Sequence, residues 1–325
     1  MTGVVRVHEV GGPEVLRFEE IEIGAPGAGQ VLLRQTAVGL NFIDVYFRSG
    51  LYPPPQLPFV PGLEAAGVVD AVGDGARQPE IGQRVAYASP PIGAYAERRL
   101  MPADRLVALP DGISDETAAA MMLKGMTAQY LLRRTYRVQS GQTILFHAAA
   151  GGVGLIACQW ARHLGATVIG TVGSDAKAEL ARAHGCAHVI RYDREDVVAR
   201  VREITGGQGV PVVYDSVGQA TFERSLDCLA PLGVLVSFGQ SSGKIPPVDL
   251  GILSQKGSLY VTRPTLMTYT APRADLLAAA NELFEVVQSG AVCIEINQRF
   301  PLGDAADAHR ALEGRRTTGS TLLLP

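Results

Sequence analysis

The sequence predicts an α/β protein in which a β-rich domain is combined with a domain built on a doubly wound parallel sheet. Its 325 residues exceed the usual size of one domain. Short alternating runs such as "QVLLRQTAVGL" and "GQRVAYA" dominate the first 124 residues, which is typical of β-structure. From about residue 125 to 265 strand-like and helix-like runs alternate, and this pattern predicts parallel strands covered by helices on both faces.

The alternating region contains several strand and helix runs in succession. They are "TILFHA" then "GVGLIACQWARHLG", "TVIGTV" then "DAKAELARAHG", "HVIRY" then "EDVVARVREITGG", "VPVVYDSV" then "ATFERSLDCLA", and finally "GVLVSFGQ". After residue 266, "RADLLAAANELFEVVQSG" predicts a long helix and "STLLLP" predicts a terminal strand.

Composition and charge narrow the class of protein. An apolar fraction of 47% is typical of a globular protein with a large core, and a net charge of −3 gives no electrostatic basis for binding nucleic acid or an anionic membrane. The N-terminal segment, charged at Arg6, does not predict a signal peptide. The four cysteines, at positions 158, 186, 228 and 293, have the spacing of neither a disulfide framework nor a zinc cluster. We therefore expect a cytoplasmic protein.

The stretch "HAAAGGVG" nearly matches the dinucleotide-binding pattern G-x-G-x-x-G, with Ala149 in place of the first glycine. It follows a predicted strand and opens a predicted helix, which is the context that the motif requires. Gly151 and Gly154 supply the second and third glycines, and alanine can replace the first if that position does not need a positive φ. The backbone N–H groups of Gly152 and Val153 are then expected to meet phosphates.

The run "GQTILFHAAAGGVGLIACQWAR" resembles the signature of the quinone oxidoreductase and ζ-crystallin branch of the medium-chain dehydrogenase/reductase superfamily. The runs "VGLNFIDVYFRSGLYP", "PFVPGLEAAGVVDAVG", "YDSVG" and "EGRRTTGSTLLLP" extend this resemblance over essentially the whole chain. It implies a GroES-like catalytic domain at residues 1–124 and 266–325, an inserted Rossmann domain at 125–265, and a homodimer.

Zinc chemistry is the first alternative, because the superfamily includes zinc alcohol dehydrogenases. The positions that resemble the catalytic ligands hold Asn41 and Leu63, which cannot provide the required cysteine and histidine. Glu64 remains, and we interpret it as a structural or polar-network residue. No metal is therefore expected, and an acceptor already activated for hydride, such as a quinone or an enone, suits the site.

The predicted site residues fall into two sets. Asn41 and Tyr52 are the candidate catalytic residues, and with Asp44 and Tyr46 they are candidates for orienting the reacting rings, although each tyrosine could instead pack at a domain edge. Lys124 and Tyr130 are further candidates. By resemblance, the set that binds NADPH comprises Asn41, Asp44, Tyr46, Tyr130, Gly152, Val153, Gly173, Ser174, Lys177, Tyr192, Ser216, Phe238, Gly239, Gln240, Ser241, Pro264, Thr265, Leu266 and Arg315.

Within that set, the resemblance implies that Ser174, Lys177 and Tyr192 surround the 2′-phosphate. Lys177 could also be a solvated helix residue, and Asp175 is interpreted as the first-turn acid of the next helix.

The predicted function is transfer of hydride, or of electrons, from NADPH to a quinone. One alternative is an NADPH-dependent enone or 2-alkenal reductase, and a non-enzymatic alternative is a crystallin-like structural or RNA-binding protein. The intact nucleotide loop and the absence of a basic patch favour an enzyme.

Overall fold

The computed structural model describes residues 1–76 and 78–325. Its strands, in chain order, are β1 Thr2–Val7, β2 Leu16–Ile21, β3 Gln30–Leu40, β4 Glu64–Val72, β5 Arg84–Ala88, β6 Arg98–Pro102, β7 Val107–Ala108, β8 Thr143–Phe146, β9 Thr167–Val172, β10 Cys186–Arg191, β11 Val210–Asp215, β12 Leu229–Ser237, β13 Tyr260–Thr262, β14 Ile296–Pro301 and β15 Ser320–Leu324. Its α-helices are α1 Phe42–Arg48, α2 Asp115–Tyr130, α3 Gly152–His163, α4 Asp175–Ala183, α5 Val197–Ile204, α6 Phe222–Asp227, α7 Gly251–Gln255, α8 Leu266–Tyr269, α9 Arg273–Gln288 and α10 Ala305–Glu313.

The chain divides into two compact units. Unit 1 comprises Met1–Met126, Thr270–Gln288 and Ile294–Pro325, and unit 2 comprises Thr127–Tyr269 and Ser289–Cys293. The domain boundaries inferred from the sequence, at residues 124/125 and 265/266, remain a prediction.

Unit 1 is the predicted β-rich part. Its larger sheet has the order β14-β15-β3-β4-β5-β7, with β6 also paired to β3, and β1 and β2 form a separate antiparallel pair. Strand β15 comes from the end of the chain and pairs antiparallel with β3. Alternate side chains of β3, such as Val31 and Leu33, enter a core that also contains Tyr87, Tyr95 and Met101. This alternation is why the region reads as β-structure in the sequence.

Unit 2 contains a parallel sheet of order β10-β9-β8-β11-β12-β13. Counted within the unit, this is the strand order 3-2-1-4-5-6 of the Rossmann fold, whose order reverses between β8 and β11. The strands carry apolar side chains on both faces, including Leu145, Ile169, Val213 and Leu235, because helices cover both faces of a parallel sheet. The predicted fold class is confirmed.

The loop after β8 explains how alanine replaces the first glycine of the motif. The left-handed conformation falls on Ala148, whose φ is 54°, while Ala149 directs its N–H to Thr171 O at 3.1 Å. The third glycine is a steric requirement, because a Cβ on Gly154 would lie 2.5 Å from Ala148 O. Gly154 therefore allows α3 to start directly against the loop.

Candidate functional site

A buried polar cluster in unit 1 is centred on Glu64, the first residue of β4. Its carboxylate is fully buried, and Oε2 lies 2.7 Å from Asn41 Nδ2 and 3.1 Å from Lys124 Nζ. The N–H of Leu123 donates to Oε1 at 2.6 Å. A buried carboxylate is tolerable only when charge and hydrogen bonds compensate for lost water, and this cluster supplies both. Glu64 is thus a polar-network residue that fixes the amide of Asn41 and the ammonium of Lys124.

Asp44 lies beside this cluster in the first turn of α1. Its Oδ2 accepts hydrogen bonds from the Asn41 N–H at 2.9 Å and from the Tyr95 hydroxyl at 3.1 Å. Burial disfavours the carboxylate and raises the pKa of Asp44 to about 7, although both hydrogen bonds act in the opposite direction. The other oxygen, Oδ1, is buried and has no hydrogen-bond partner among residues 1–76 and 78–325.

The two predicted ring-orienting tyrosines lie against each other. The rings of Tyr46 and Tyr52 are 5.1 Å apart in an edge-to-face arrangement, and Tyr52 donates its N–H to Tyr46 O at 2.9 Å. Tyr46 is buried, whereas Tyr52 is only half-buried. Unit 1 therefore brings Asn41, Asp44, Tyr46 and Tyr52 together around the start of α1, although their roles toward a ligand remain predictions.

Sequence reasoning did not identify a buried chain of polar groups that begins at Asp44. The Tyr95 hydroxyl, which contacts Asp44, also lies 2.9 Å from His309 Nε2, and His309 Nδ1 lies 3.3 Å from Arg48 Nη1. Arg48 in turn forms a two-pronged ion pair with Glu313, at 2.7 and 2.9 Å. Burial and the neighbouring Arg48 guanidinium lower the pKa of His309 to about 3. His309 is therefore a neutral imidazole at ordinary pH.

In unit 2, α3 begins directly after the glycine loop. Its N-cap, Gly151, provides no capping side-chain hydrogen bond to the first amide groups of the helix, which include those of Gly152 and Val153. The helix dipole adds partial positive charge at this end. Backbone amide groups and partial positive charge at the same helix end together suit a phosphate group.

The end of β9 carries the residues predicted to select the cofactor. The Tyr192 hydroxyl packs directly over Gly173. A Cβ on Gly173 would lie 2.3 Å from that oxygen, so only glycine leaves room for it. Ser174 is the N-cap of α4 and accepts the N–H of Lys177 at 3.3 Å, which leaves its hydroxyl proton for another acceptor. Unit 2 thus brings Gly173, Ser174, Lys177 and Tyr192 together.

Asp175 is confirmed as the first-turn acid of α4. Its carboxylate is paired with Arg191 and lies 3.4 Å from Arg194 Nη2. These two cations reduce the negative charge that Asp175 would otherwise present beside Ser174 and Lys177.

The ends of β11 and β12 meet closely. A Cβ on Gly239 would lie 2.5 Å from Ser216 O, and the same carbonyl accepts the Ser241 N–H at 3.2 Å. Arg263, at the end of β13, donates to the carbonyls of Ser237 and Gly239 at 2.9 and 2.8 Å. Of the predicted edge residues, Phe238 and Gln240 flank Gly239 in this loop, and Pro264, Thr265 and Leu266 follow Arg263.

Buried Asp215 supports the same loop and was not anticipated from the sequence. Its Oδ1 accepts the N–H groups of Val217 and Gly218 at 2.7 and 3.2 Å. Its Oδ2 accepts the Ser225 hydroxyl at 2.8 Å, and Ser225 contacts His147 Nε2 at 3.1 Å. His147 is therefore a core histidine.

Two predicted residues, Tyr130 and Arg315, remain to be placed. Tyr130 is buried and stacks on Tyr269, with ring centroids 4.5 Å apart and planes at 10°. Arg315 is an exposed residue of unit 1 that follows α10 with a left-handed φ of 57°.

Within residues 1–76 and 78–325, no three histidine, cysteine, aspartate or glutamate side chains are grouped as a metal site. Over the same ranges, no helix combines the length and apolar character needed to cross a bilayer.

Two features together define the medium-chain dehydrogenase/reductase class. One is the Rossmann unit, whose sheet has the order 3-2-1-4-5-6, and the other is the β-rich unit, whose larger sheet includes the chain's C-terminal strands. Family models agree, since residues 27–111 match the alcohol dehydrogenase GroES-like domain and residues 152–282 match the zinc-binding dehydrogenase family. The second family is named for zinc binding, yet residues 1–76 and 78–325 include no group of three histidine, cysteine, aspartate or glutamate side chains that could hold a metal ion.

The chain is 58% identical over 315 residues to a quinone oxidoreductase of Pseudomonas aeruginosa, covering 97% of each protein. It is 48% identical to a 2-haloacrylate reductase of a Burkholderia species, covering 98% of each. Among solved structures, Escherichia coli quinone oxidoreductase complexed with NADPH superimposes with a TM-score of 0.98 at 52% identity, over 99% of this chain and 100% of the other. The chain belongs to the quinone oxidoreductase family of the medium-chain dehydrogenase/reductase superfamily.

Proposed function

We propose that this chain is an NADPH-dependent oxidoreductase that reduces a quinone. The observation that carries the proposal is the uncapped start of α3, placed at the switch point of a Rossmann sheet in a chain similar over its full length to quinone oxidoreductases. The helix end and the strand ends provide a nucleotide site, and the family membership indicates the acceptor.

The described residues fit NADPH. The amide groups of Gly152 and Val153 would hold the pyrophosphate. Ser174, Lys177 and Tyr192 would hold the 2′-phosphate, since they offer a hydroxyl, a cation and a phenol beside Gly173, where only a glycine leaves room for the Tyr192 hydroxyl. Because Asp175 is paired with arginines, it does not oppose the phosphate as an isolated negative charge.

When bound, NADPH supplies a hydride, and the protein's task is to position the acceptor. Quinones need no Lewis acid, because their ring accepts the electron pair and spreads charge onto oxygen. Asn41 Nδ2 donates to Glu64 Oε2 at 2.7 Å and to Gly39 O at 3.4 Å, so its polar amide is held in place, and half-buried Tyr52 offers an aromatic surface and a hydroxyl. We assign them the roles of orienting the ring and stabilising developing charge on oxygen.

The test is steady-state oxidation of NADPH, followed anaerobically with a panel of quinones. Turnover of at least one quinone with NADPH, well above the rate without acceptor, is expected. If no quinone is reduced but enones or 2-alkenals are, the alternative reductase function replaces the first. The Burkholderia 2-haloacrylate reductase at 48% identity is the reason to include 2-haloacrylates in the panel.

We also propose that the enzyme needs no metal, on the basis of Asn41 and Leu63 at the positions where zinc ligands would be needed. Elemental analysis of active protein should find zinc well below one equivalent, and a chelator should leave turnover unchanged. Loss of activity in parallel with loss of stoichiometric zinc would contradict this.

We further propose a cytoplasmic homodimer that associates through β13. This strand forms an edge of the parallel sheet and exposes Tyr260 and Val261, by 60% and 41%, with Leu250 nearby in sequence at 75%. Exposed apolar edge strands commonly pair with another chain. Light scattering should give twice the chain mass of 34.4 kDa. The Val261→Lys variant should be a monomer. The control variant Ile81→Lys, which changes another exposed apolar residue, should remain a dimer.

A further inference from the structure

The start of α4 carries two charges that favour different cofactors. Asp175 lies about 20 positions after Gly154, which is the spacing of the acid that binds the ribose 2′-hydroxyl in NAD-dependent Rossmann proteins. Lys177, in the same turn, supplies the positive charge that a 2′-phosphate needs. A free carboxylate at Asp175 would repel that phosphate. Which cofactor the site accepts therefore depends on the partners of Asp175.

The Asp175 carboxylate is held by two arginines. Arg191, the last residue of β10, pairs in register with Val172, the last residue of β9. Arg191 Nη1 donates to Asp175 Oδ1, and Arg194 Nη2 lies 3.4 Å from Asp175 Oδ2, so each carboxylate oxygen faces a cation. The side chain of Asp175 is nevertheless 71% exposed, so a ligand bound at the start of α4 can reach it.

Arg191 is the fixed member of this group. Its side chain is 11% exposed, against 65% for Arg194. Its Nε and Nη2 donate to the two carboxylate oxygens of Asp193 at 2.9 and 2.7 Å, and its backbone N–H donates to Glu195 Oε1 at 2.7 Å. Because the guanidinium is planar and rigid, these bonds fix the orientation in which Nη1 meets Asp175.

The Arg191 side chain can be changed without moving the neighbouring residue of the phosphate site. Tyr192 follows Arg191, and its backbone N–H donates to Val172 O at 3.2 Å. This backbone contact continues the pairing of β10 with β9 and holds the Tyr192 hydroxyl over Gly173. Removing the guanidinium should therefore release Asp175 while Tyr192 keeps its place.

We propose that Arg191 is a positioning residue that selects NADPH over NADH by holding the Asp175 carboxylate. The inference rests on the proposed function, in which Ser174, Lys177 and Tyr192 bind the 2′-phosphate. With Arg191 in place, Asp175 is paired and the phosphate meets Lys177. Without Arg191, the Asp175 carboxylate loses its fixed donor, repels the phosphate and is able to accept a hydrogen bond from the 2′-hydroxyl of NADH.

The test measures the dissociation constants of NADPH and NADH by fluorescence, at one moderate ionic strength because salt screens exposed charges. The parent should bind NADPH more tightly than NADH. In Arg191→Met, NADPH should bind about fivefold more weakly, which is the usual limit for an exposed charge interaction, and NADH should bind more tightly. A parent without NADPH preference, or an unchanged ratio of the two constants in Arg191→Met, would overturn the proposal.

A second substitution distinguishes this role from a structural one. In the Arg191→Met background, Asp175→Asn removes the charge that Arg191 no longer pairs, so the preference for NADPH should return toward that of the parent. Damage to the fold around β10 would not be repaired by this change. A double variant with the same cofactor ratio as Arg191→Met would show that Arg191 does not act through Asp175.

Two further variants serve as comparisons. Arg194→Met removes the exposed arginine and should shift the cofactor ratio less than Arg191→Met does; a larger shift would assign the selection to Arg194 and overturn the proposal. Arg310→Met breaks an exposed pair with Asp307 on α10 and should leave both constants unchanged. If Arg191→Met does not fold, Arg191→Gln, which keeps polar groups at this position without the charge, should give the same shift.

Quinone turnover, measured with the same variants, separates this inference from the proposed function. If the parent reduces no quinone but the cofactor ratio shifts as expected, the proposed function fails and the role of Arg191 stands. If quinones are reduced and the ratio does not shift, the role of Arg191 fails and the proposed function stands.

Discussion

Lys124 and Glu64 form a buried ion pair, with Nζ 3.1 Å from Oε2 and side chains 7% and 0% exposed. The pair joins Lys124 on α2 to the first residue of β4 and also fixes the amide of Asn41, since the same Oε2 accepts from Asn41 Nδ2. A buried pair of this kind contributes specificity of geometry more than net stability, because desolvation of two charges offsets much of their attraction.

Breaking this pair should therefore be far more harmful than its net contribution suggests. Lys124→Met leaves the Glu64 carboxylate buried without its cation, and we expect unfolding in urea to show a loss of about 3–5 kcal/mol. Arg299→Met, which breaks an exposed pair with Glu116, is the control and should cost less than about 1 kcal/mol. Equal effects of the two substitutions would show that Glu64 is not compensated by Lys124.

His309 should make the protein sensitive to acid. Its folded pKa of about 3 lies below the ordinary value of 6.5, so the unfolded chain binds the proton more readily, and the stabilising effect of the neutral imidazole is lost as pH falls from 6.5 toward 3. The full difference corresponds to about 5 kcal/mol. Urea unfolding of His309→Gln should show a weaker loss of stability than the parent over this range.

The matched control for His309 is His163→Gln, which alters an exposed histidine at the end of α3. It should follow the parent profile at every pH. If His309→Gln also follows the parent, protonation of His309 does not contribute to acid unfolding.

The phosphate site at α3 can be tested with little risk to the fold. Aspartate is a preferred N-cap, so Gly151→Asp should keep or strengthen the helix while its carboxylate occupies the first amide groups and repels phosphate. A Cβ at this position meets only Ala148 O, at 3.2 Å, which requires a small adjustment. We expect NADPH affinity, measured by fluorescence, to fall by at least about tenfold with an unchanged or higher melting temperature.

Gly151→Ser provides the neutral comparison, since serine caps a helix without adding charge. It should weaken NADPH much less than Gly151→Asp does. Equal losses would attribute the effect to steric contact rather than to charge at the phosphate.

The parallel sheet could be predicted from the sequence, because strands buried on both faces are continuously apolar and alternate along the chain with runs whose apolar residues recur at helical spacing. The strand, glycine-rich turn and helix around residues 148–154 could also be predicted, because the glycines needed for close packing are local in the chain. The sequence could not show which of three consecutive alanines takes the positive φ, and the structure places it on Ala148. It could not connect Asp44 with Tyr95 and His309 either, because 51 residues separate the first pair and 214 the second. Only the pairing of strands and helices brings those groups together.

Cofactor preference is the sharpest test of the residues at the end of β9. Lys177 lies in the first turn of α4, where its backbone N–H donates to the Ser174 hydroxyl oxygen at 3.3 Å, so its backbone is fixed close to the end of β9. A hydrogen bond to a charged group contributes roughly 1.5–3 kcal/mol, so Lys177→Ala should reduce the preference for NADPH over NADH by about 10- to 100-fold. The loss should appear in kcat/KM with NADPH and hardly at all with NADH, which has no 2′-phosphate.

The measurement of cofactor preference needs fixed, moderate ionic strength, because salt screens an exposed cation. Lys256→Ala is the control. Lys256 precedes β13 and forms an ion pair with Asp227, so its removal should leave the NADPH-to-NADH ratio of kcat/KM unchanged. A parent enzyme without NADPH preference, or a Lys177→Ala variant equally impaired with both cofactors, would mean that Lys177 does not meet the phosphate.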